Sequence, residues 1–444
     1  MRLGAVDGWL STATQHGLYG EPFSAHCVLT PVVTTGASLV MPTSMCRGSA
    51  LAIVATLLAA APVAADIVQV TNLPPTQFVG NPSISGDGRF LTFLSSGDLG
   101  GLNPTGIPNI FVYDGTTGKF TRVTTNGGAD PTISGDGRFI AFSSSADYAR
   151  RNADGSDEIY RYDRVGKHFV QLTRDNNGDG QSELPVINRD GRRVVFETTS
   201  DVRRRNPDFS PEVGLFYGSA VPMSVDPNGD GESHSPAISA DGSFAVFQTT
   251  SNLAGRNEDL SQELMLYDVK MKALTQVTND PDGTGSSGTA AISGDASAVV
   301  FISSSNVAGL NPDNFNAVYL LSRRHTFSVI TTTPDGLFDG DTPTVNDDGR
   351  WIAFVSGFNL TGGNPDFNSE ILLYDRLRKT FAQVTDSTGC FNGIRSSAVT
   401  ARASPSSPTA TMPAPMPTRA RRCSSPTTRR CIWSSSPKDL SGWA

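Results

Sequence analysis

A unit of about fifty residues is copied along the chain, and a period of that length with several short strands per copy restricts the fold more than any other feature. Its signature is Ser-Gly-Asp-Gly, or a close variant, followed by alternating apolar residues. Asp87, Asp136, Asp190, Asp241, Asp295 and Asp348 hold the same place in it, at successive spacings of 49, 54, 51, 54 and 53 residues. Sixteen residues after each aspartate comes an asparagine: Asn103, Asn152, Asn206, Asn257, Asn311 and Asn364. The offset is constant, so the unit is repeated whole and length variation falls elsewhere.

Each copy holds four strand signals separated by turn residues. In the second copy they are Pro131 to Ser134, Arg138 to Ser143, Glu158 to Asp163 and His168 to Thr173. The Gly-Asp-Gly between the first two predicts a tight hairpin, because glycine takes the positive φ such turns require. Four short antiparallel strands make one blade, and the sequence predicts an all-β β-propeller of four-stranded blades with six intact repeats. The 44 glycines and the abundance of Ser, Thr, Asn and Asp suit a turn-rich β protein. A net charge of −8, with charged residues at only 18 %, argues against a general nucleic-acid binder and gives no sign of a basic membrane patch.

Residues 1–44 carry no repeat. Met45-Cys46-Arg47 opens a basic segment, Ala50 to Ala61 is apolar, and Val63-Ala64-Ala65 ends it with small residues. That is the layout of a secretory signal peptide, too short to favour a membrane span. The expectation is an upstream extension at 1–44 that is not part of the true protein, a signal at 45–65, export to the periplasm or medium, and no span after signal removal. Ile67-Val68-Gln69-Val70-Thr71 then matches the fourth strand of the repeats, as in Phe169 to Thr173 and Phe381 to Thr385. A fourth strand without three before it predicts a blade completed from the far end of the chain, which removes an exposed sheet edge.

The propeller pattern runs over 66–399. From 400 to 444 the composition turns abruptly to Ser, Pro, Thr, Ala and Arg, which by composition alone is a disordered tail. Rereading Thr411 to Thr418 from the last base of each codon permits a copy of Asp147 to Asp154, with the repeat asparagine at position 416, 52 residues after Asn364. The expectation is a coding frame that shifts near residue 400, and an ancestral seventh blade lost by it.

The repeats resemble the TolB-like propeller family, a WD-repeat-like group of bacterial envelope proteins and of propeller domains attached to prolyl-oligopeptidase-type peptidases. The resemblance rests on Ser-Gly-Asp-Gly-Arg-Phe at 85–90 and 134–139 and on the aromatic-Asp ends Tyr113-Asp114, Tyr162-Asp163, Tyr267-Asp268 and Tyr374-Asp375. Unit three departs at Tyr217-Gly218, and unit five at Ala296 and Leu321-Ser322. The resemblance implies an exported protein that binds a protein or envelope component, although one fold hosts many functions.

No Gly-x-Ser-x-Gly nucleophile elbow is present. His168, His234 and His325 lie in different units at no metal-ligand spacing and read as surface or turn histidines. Cys390 stands alone between the leader cysteines and those of the tail, so no disulfide framework is predicted. The best chemical candidate is Asp175-Asn176-Asn177-Gly178-Asp179-Gly180-Gln181-Ser182-Glu183. Asp175, Asn177, Asp179 and Glu183 offer oxygen donors that could take calcium, in a pattern resembling integrin-type propeller loops. Asp226, Asn228 and Asp230 repeat it in the next unit, with His234 at the closing position, and Asp280 to Gly285 is a degraded copy. The same residues make good turns without metal.

A second polar feature is Asn-x-Asp with an acid four residues on, as in Asn152, Asp154 and Glu158 or Asn257, Asp259 and Glu263; loop capping explains it without a ligand. Two function classes follow. One is a non-catalytic binding scaffold for a protein or envelope polymer, stabilised by calcium. The alternative is a propeller hydrolase or lyase acting on a polysaccharide or lactone.

Overall fold

The computed structural model describes residues 29–32 and 66–386, apart from 176–177, 227–228, 281–282, 284 and 332–340. Six four-stranded antiparallel sheets follow one another in chain order, each strand paired with the next. The first blade is Val79–Ile84, Phe90–Ser95, Asn109–Asp114 and Lys119–Arg122; the second is Ala129–Ile133, Phe139–Ser144, Glu158–Asp163 and His168–Gln171. The third is Ser182–Ile187, Val194–Thr198, Glu212–Phe216 and Ala220–Pro222; the fourth is Ser233–Ile238, Phe244–Thr249, Glu263–Asp268 and Ala273–Gln276. The fifth is Ser287–Ile292, Ala298–Ser303, Ala317–Ser322 and Phe327–Val329; the sixth is Asp341–Val345, Trp351–Ser356, Glu370–Asp375 and Thr380–Gln383. The chain is an all-β six-bladed propeller, as the repeat predicts.

Alternation along the second and third strands sends one set of side chains to the preceding blade and the other to the following one. Between blades four and five, Val246 and Leu264 meet Ile292, Val299, Phe301 and Tyr319. Each second strand contributes one phenylalanine at the same position, Phe93, Phe142, Phe196, Phe247, Phe301 and Phe354, none more than 1 % exposed. Truncating any of these to alanine costs about 3–5 kcal/mol.

Every first strand carries a β-bulge at the same place, with the bulged residue at positive φ: Asn81, Asp130, Leu184, Ser235, Thr289 and Thr342, between 46° and 52°. In all blades but the fifth a proline follows it, and at a bulge its missing N–H breaks no ladder bond. The Ser-Gly-Asp-Gly turns then chain together: Gly86 N donates to Gly135 O (2.9 Å), Arg189 N to Ala240 O (3.0 Å), Ala240 N to Gly294 O (3.1 Å) and Asp295 N to Asp347 O (2.9 Å). Backbone bonds, including Asp136 N to Arg189 O at 3.3 Å, thus run from blade one to blade six at one end. Only Arg189 and Asp347 bring long side chains to that ring position, and they form an ion pair linking blade three to blade six.

Asp66–Gln69 pairs antiparallel with Leu29–Val32 rather than within a blade's sheet. Val70 and Leu73 pack against the first blade's cluster of Ile84, Leu91, Phe93, Leu99 and Phe111. The blade expected to complete Ile67–Thr71, the leader at 45–65 and the tail at 400–444 lie outside the described residues. Among the described residues no helix is long and apolar enough to cross a membrane.

Candidate functional site

One end of each blade presents the turns between strands one and two and between strands three and four. The opposite end presents the longer two-three loops and the loops that lead into the next blade. The candidate residues all lie at this loop end.

The repeat asparagine is the pivot of each two-three loop. Asn257 Nδ2 donates to Thr250 O (3.1 Å) and Ser261 O (2.9 Å), and Asn152 does the same with Ser145 O (3.1 Å) and Ser156 O (2.8 Å). Asn103, Asn206, Asn311 and Asn364 repeat the pair of bonds. Each asparagine closes a loop that the sheet cannot satisfy.

The acid four residues beyond the Asp ties strand three to the end of strand four. Glu158 accepts from Thr173 Oγ1 (2.5 Å) and the Asp175 amide; Glu212 accepts from Ser224 Oγ and the Asp226 amide (2.9 Å). Glu263 does the same with Thr278 Oγ1 and the Asp280 amide (2.5 Å). Burial pushes all three carboxyls above their usual range, Glu212 to about 7, even though those donors favour the ionised form. In the first blade Asn109 stands in for the acid and accepts from Thr124 Oγ1 at 3.1 Å.

Of the residues singled out for calcium, Asp175 and Asp226 hold their own loops. Asp175 is buried, and its Oδ2 accepts the Gly180 amide at 2.5 Å; Asp226 accepts from Gly231 at 2.9 Å in the same way. A side chain at Gly180 would strike the Ser200 backbone at 2.4 Å, so this glycine is needed for close approach between two loops. Asp179 and Asp230 are exposed, and Asn177 and Asn228 lie outside the described residues. Glu183 is not in the loop at all: it sits on the third blade's first strand, in register with Glu197. Among the described residues no three His, Cys, Asp or Glu side chains converge as a metal-holding group.

His234 departs from the expectation. His168 and His325 are exposed, but the His234 side chain retains only 23 % of its exposure and lies between two carboxylates. Its Nδ1 is 3.0 Å from Glu197 Oε2 and its Nε2 is 3.1 Å from Glu232 Oε2, while Glu197 Oε1 accepts the Ser235 amide at 2.7 Å. Burial disfavours the charged ring, but the two glutamates outweigh it and raise the imidazole above its usual value. The contact joins strand two of blade three to strand one of blade four. In the next blade Gln248 takes the place of Glu197 and accepts the Thr289 amide at 3.1 Å. A histidine oriented by a glutamate can move a proton.

No family model matches this chain, and no curated protein matches it in sequence. Solved structures do match. A prolyl endopeptidase aligns over 72 % of this chain and 44 % of its own, at 12 % identity and a TM-score of 0.50. An oligogalacturonate lyase from Vibrio parahaemolyticus covers 70 % of this chain and 79 % of its own (13 % identity, TM-score 0.48). A TolB protein from Agrobacterium tumefaciens covers 65 % and 92 % (17 % identity, TM-score 0.39). The likeness is one of fold. One such fold hosts many functions, so the likeness assigns none to this chain.

Proposed function

We propose that the protein is an exported, TolB-like propeller that acts as a non-catalytic scaffold, binding a protein or cell-envelope polymer at its loop end. The observation that carries this reading is the preassembly of that end. Asparagine pivots and buried glutamates hold the loops in one geometry before any ligand arrives, and a preordered surface loses less entropy on binding. Calcium at the 175–183 and 226–230 loops is an accessory part of the proposal, since exposed Asp179 and Asp230 are at hand to supply oxygen donors. The test is thermal melting of the purified protein against a panel of envelope polymers and envelope proteins, with product analysis in parallel. The scaffold reading expects a ligand-dependent rise in Tm and no product, and calcium binding expects a fall in Tm on adding EDTA.

One observation favours the alternative. Glu197 and His234 have the spacing of an orienting carboxylate and a general base, across the second strand of blade three and the first strand of blade four. Turnover of a polysaccharide or lactone that His234→Gln abolishes without changing Tm would replace the scaffold with an enzyme.

A further inference from the structure

Large apolar side chains stand out from the opposite end of the molecule, at the three-four turns of alternate blades. Val165 in blade two, Met271 in blade four and Leu377 in blade six are 73 %, 70 % and 74 % exposed. Isolated exposed apolar residues are ordinary and need no explanation. These three share one turn architecture. In each, the aspartate ending strand three turns its Oδ1 inward to cap backbone amides: Asp163 accepts from Val165 (2.9 Å) and Gly166 (3.0 Å), Asp268 from Lys270 and Met271 (both 2.9 Å), and Asp375 from Leu377 (3.0 Å). A lysine closes each turn at positive φ, Lys167 and Lys272 at 52° and Lys379 at 54°, where glycine would be cheaper; the first blade does use Gly118.

The result is an apolar tip flanked by exposed cations. Lys167 follows Val165, Lys270 and Lys272 bracket Met271, and Arg378 and Lys379 follow Leu377. Blade five adds exposed Arg323 and Arg324 at its own three-four turn. The capping carboxylates of blades two and six are buried and ion-paired inward, to Arg138 at 2.7 Å and Arg350 at 2.8 Å, so they do not offset the outward charge. Each one-two turn at this end also exposes an aspartate, Asp87, Asp136, Asp190, Asp241, Asp295 and Asp348, so the excess of cations belongs to the three-four turns themselves.

We propose that the three-four turn end docks on an anionic lipid bilayer, with Val165, Met271 and Leu377 entering the headgroup boundary and the flanking lysines and arginines meeting lipid phosphates. A bilayer fits better than a soluble polyanion for a physical reason. Aliphatic tips gain free energy on leaving water for the acyl boundary, whereas a hydrated polyanion gives them nothing. Attraction of each flanking cation to an anionic surface adds to that gain and is weakened by salt. The inference is independent of the loop-end reading, since the residues are at opposite ends of the blades.

The experiment is co-sedimentation of the purified protein with vesicles of phosphatidylcholine alone, or of phosphatidylcholine and phosphatidylglycerol in equal parts. The expected result is sedimentation with the anionic vesicles only, declining as salt is raised. In the triple variant Val165→Ser, Met271→Ser, Leu377→Ser the bound fraction should fall about tenfold with Tm unchanged. All three side chains are exposed, so the variant should fold. Three results would overturn the proposal: wild-type protein left in the supernatant with anionic vesicles at low salt, equal binding to both vesicle types, or a triple variant that binds as wild type does.

Discussion

The two ends of the blades hold their carboxylates in opposite ways. At the turn end, aspartates are paired with arginines from the neighbouring turn: Arg89 with Asp114 at 2.9 Å, Arg138 with Asp163 at 2.7 Å and Arg350 with Asp375 at 2.8 Å. The arginines hold Asp114 and Asp163 well below the usual carboxylate range. At the loop end, Glu158, Glu212 and Glu263 are buried among hydroxyl and amide donors, and burial drives them upward. One set of carboxylates is therefore held charged by arginine partners, and the other is buried among the donors that fix the loops. The two proposals, a ligand at the loop end and a bilayer at the turn end, follow that division.

The largest expected effect tests whether the loop end is held by its buried polar groups. Asn257→Ala leaves the Thr250 and Ser261 carbonyls without their donor and should cost about 3 kcal/mol, read as a lowered urea midpoint at unchanged slope. A loss within experimental error would mean that the asparagine pivots are incidental.

The next effect separates the two ends by pH. Glu212 titrates near 7 when folded and near 4.3 when unfolded, so its stabilising contribution is full below the unfolded value and is lost as pH rises through 7. The depressed aspartates at the turn end act oppositely: their contribution is present above about pH 4 and is lost as pH falls through their folded values. Glu212→Gln should remove on the order of 2 kcal/mol of the decline between pH 4 and 8 and leave the acid limb in place. An unchanged alkaline limb would show that Glu212 is not desolvated as its burial indicates.

Smaller effects belong to the turn end. Arg350→Ala should cost about 1 kcal/mol, less at high salt, because the guanidinium is partly exposed and Asp375 keeps its backbone donors. Ala296 sits at φ 53° in the fifth blade where the other hairpins have glycine, so Ala296→Gly should stabilise the protein by about 0.5–1 kcal/mol. Equal responses at both ends would dissolve the contrast.

Much of this was legible in the sequence because the repeat puts equivalent residues in equivalent places. The constant step from aspartate to asparagine reflects a single hydrogen-bonding role for Asn103 through Asn364, and Ser-Gly-Asp-Gly reads directly as a hairpin. Asn188 and Asn346 keep that hairpin by accepting from the Arg193 and Trp351 amides as the serine hydroxyls do elsewhere. The Glu197, His234 and Glu232 cluster was not legible. Its members come from two blades and belong to no motif, and only the register of Glu183 with Glu197 and of His234 with Gln248 shows that they share a level. The link between Arg189 and Asp347 did leave a trace. Both depart from glycine at the same column of the repeat, with opposite charges.

The most direct test of the preassembled loop end is hydrogen exchange at the amides that its carboxylates accept. The amides of Asp226 and Gly231 lie in a loop yet donate to buried Glu212 and Asp226, each at 2.9 Å, and Asp280 and Gly285 repeat the pattern. The prediction is protection close to that of the neighbouring strand amides, lost selectively for the Asp226 amide in Glu212→Ala. Exchange of these amides at the rate of an unfolded chain would contradict the account.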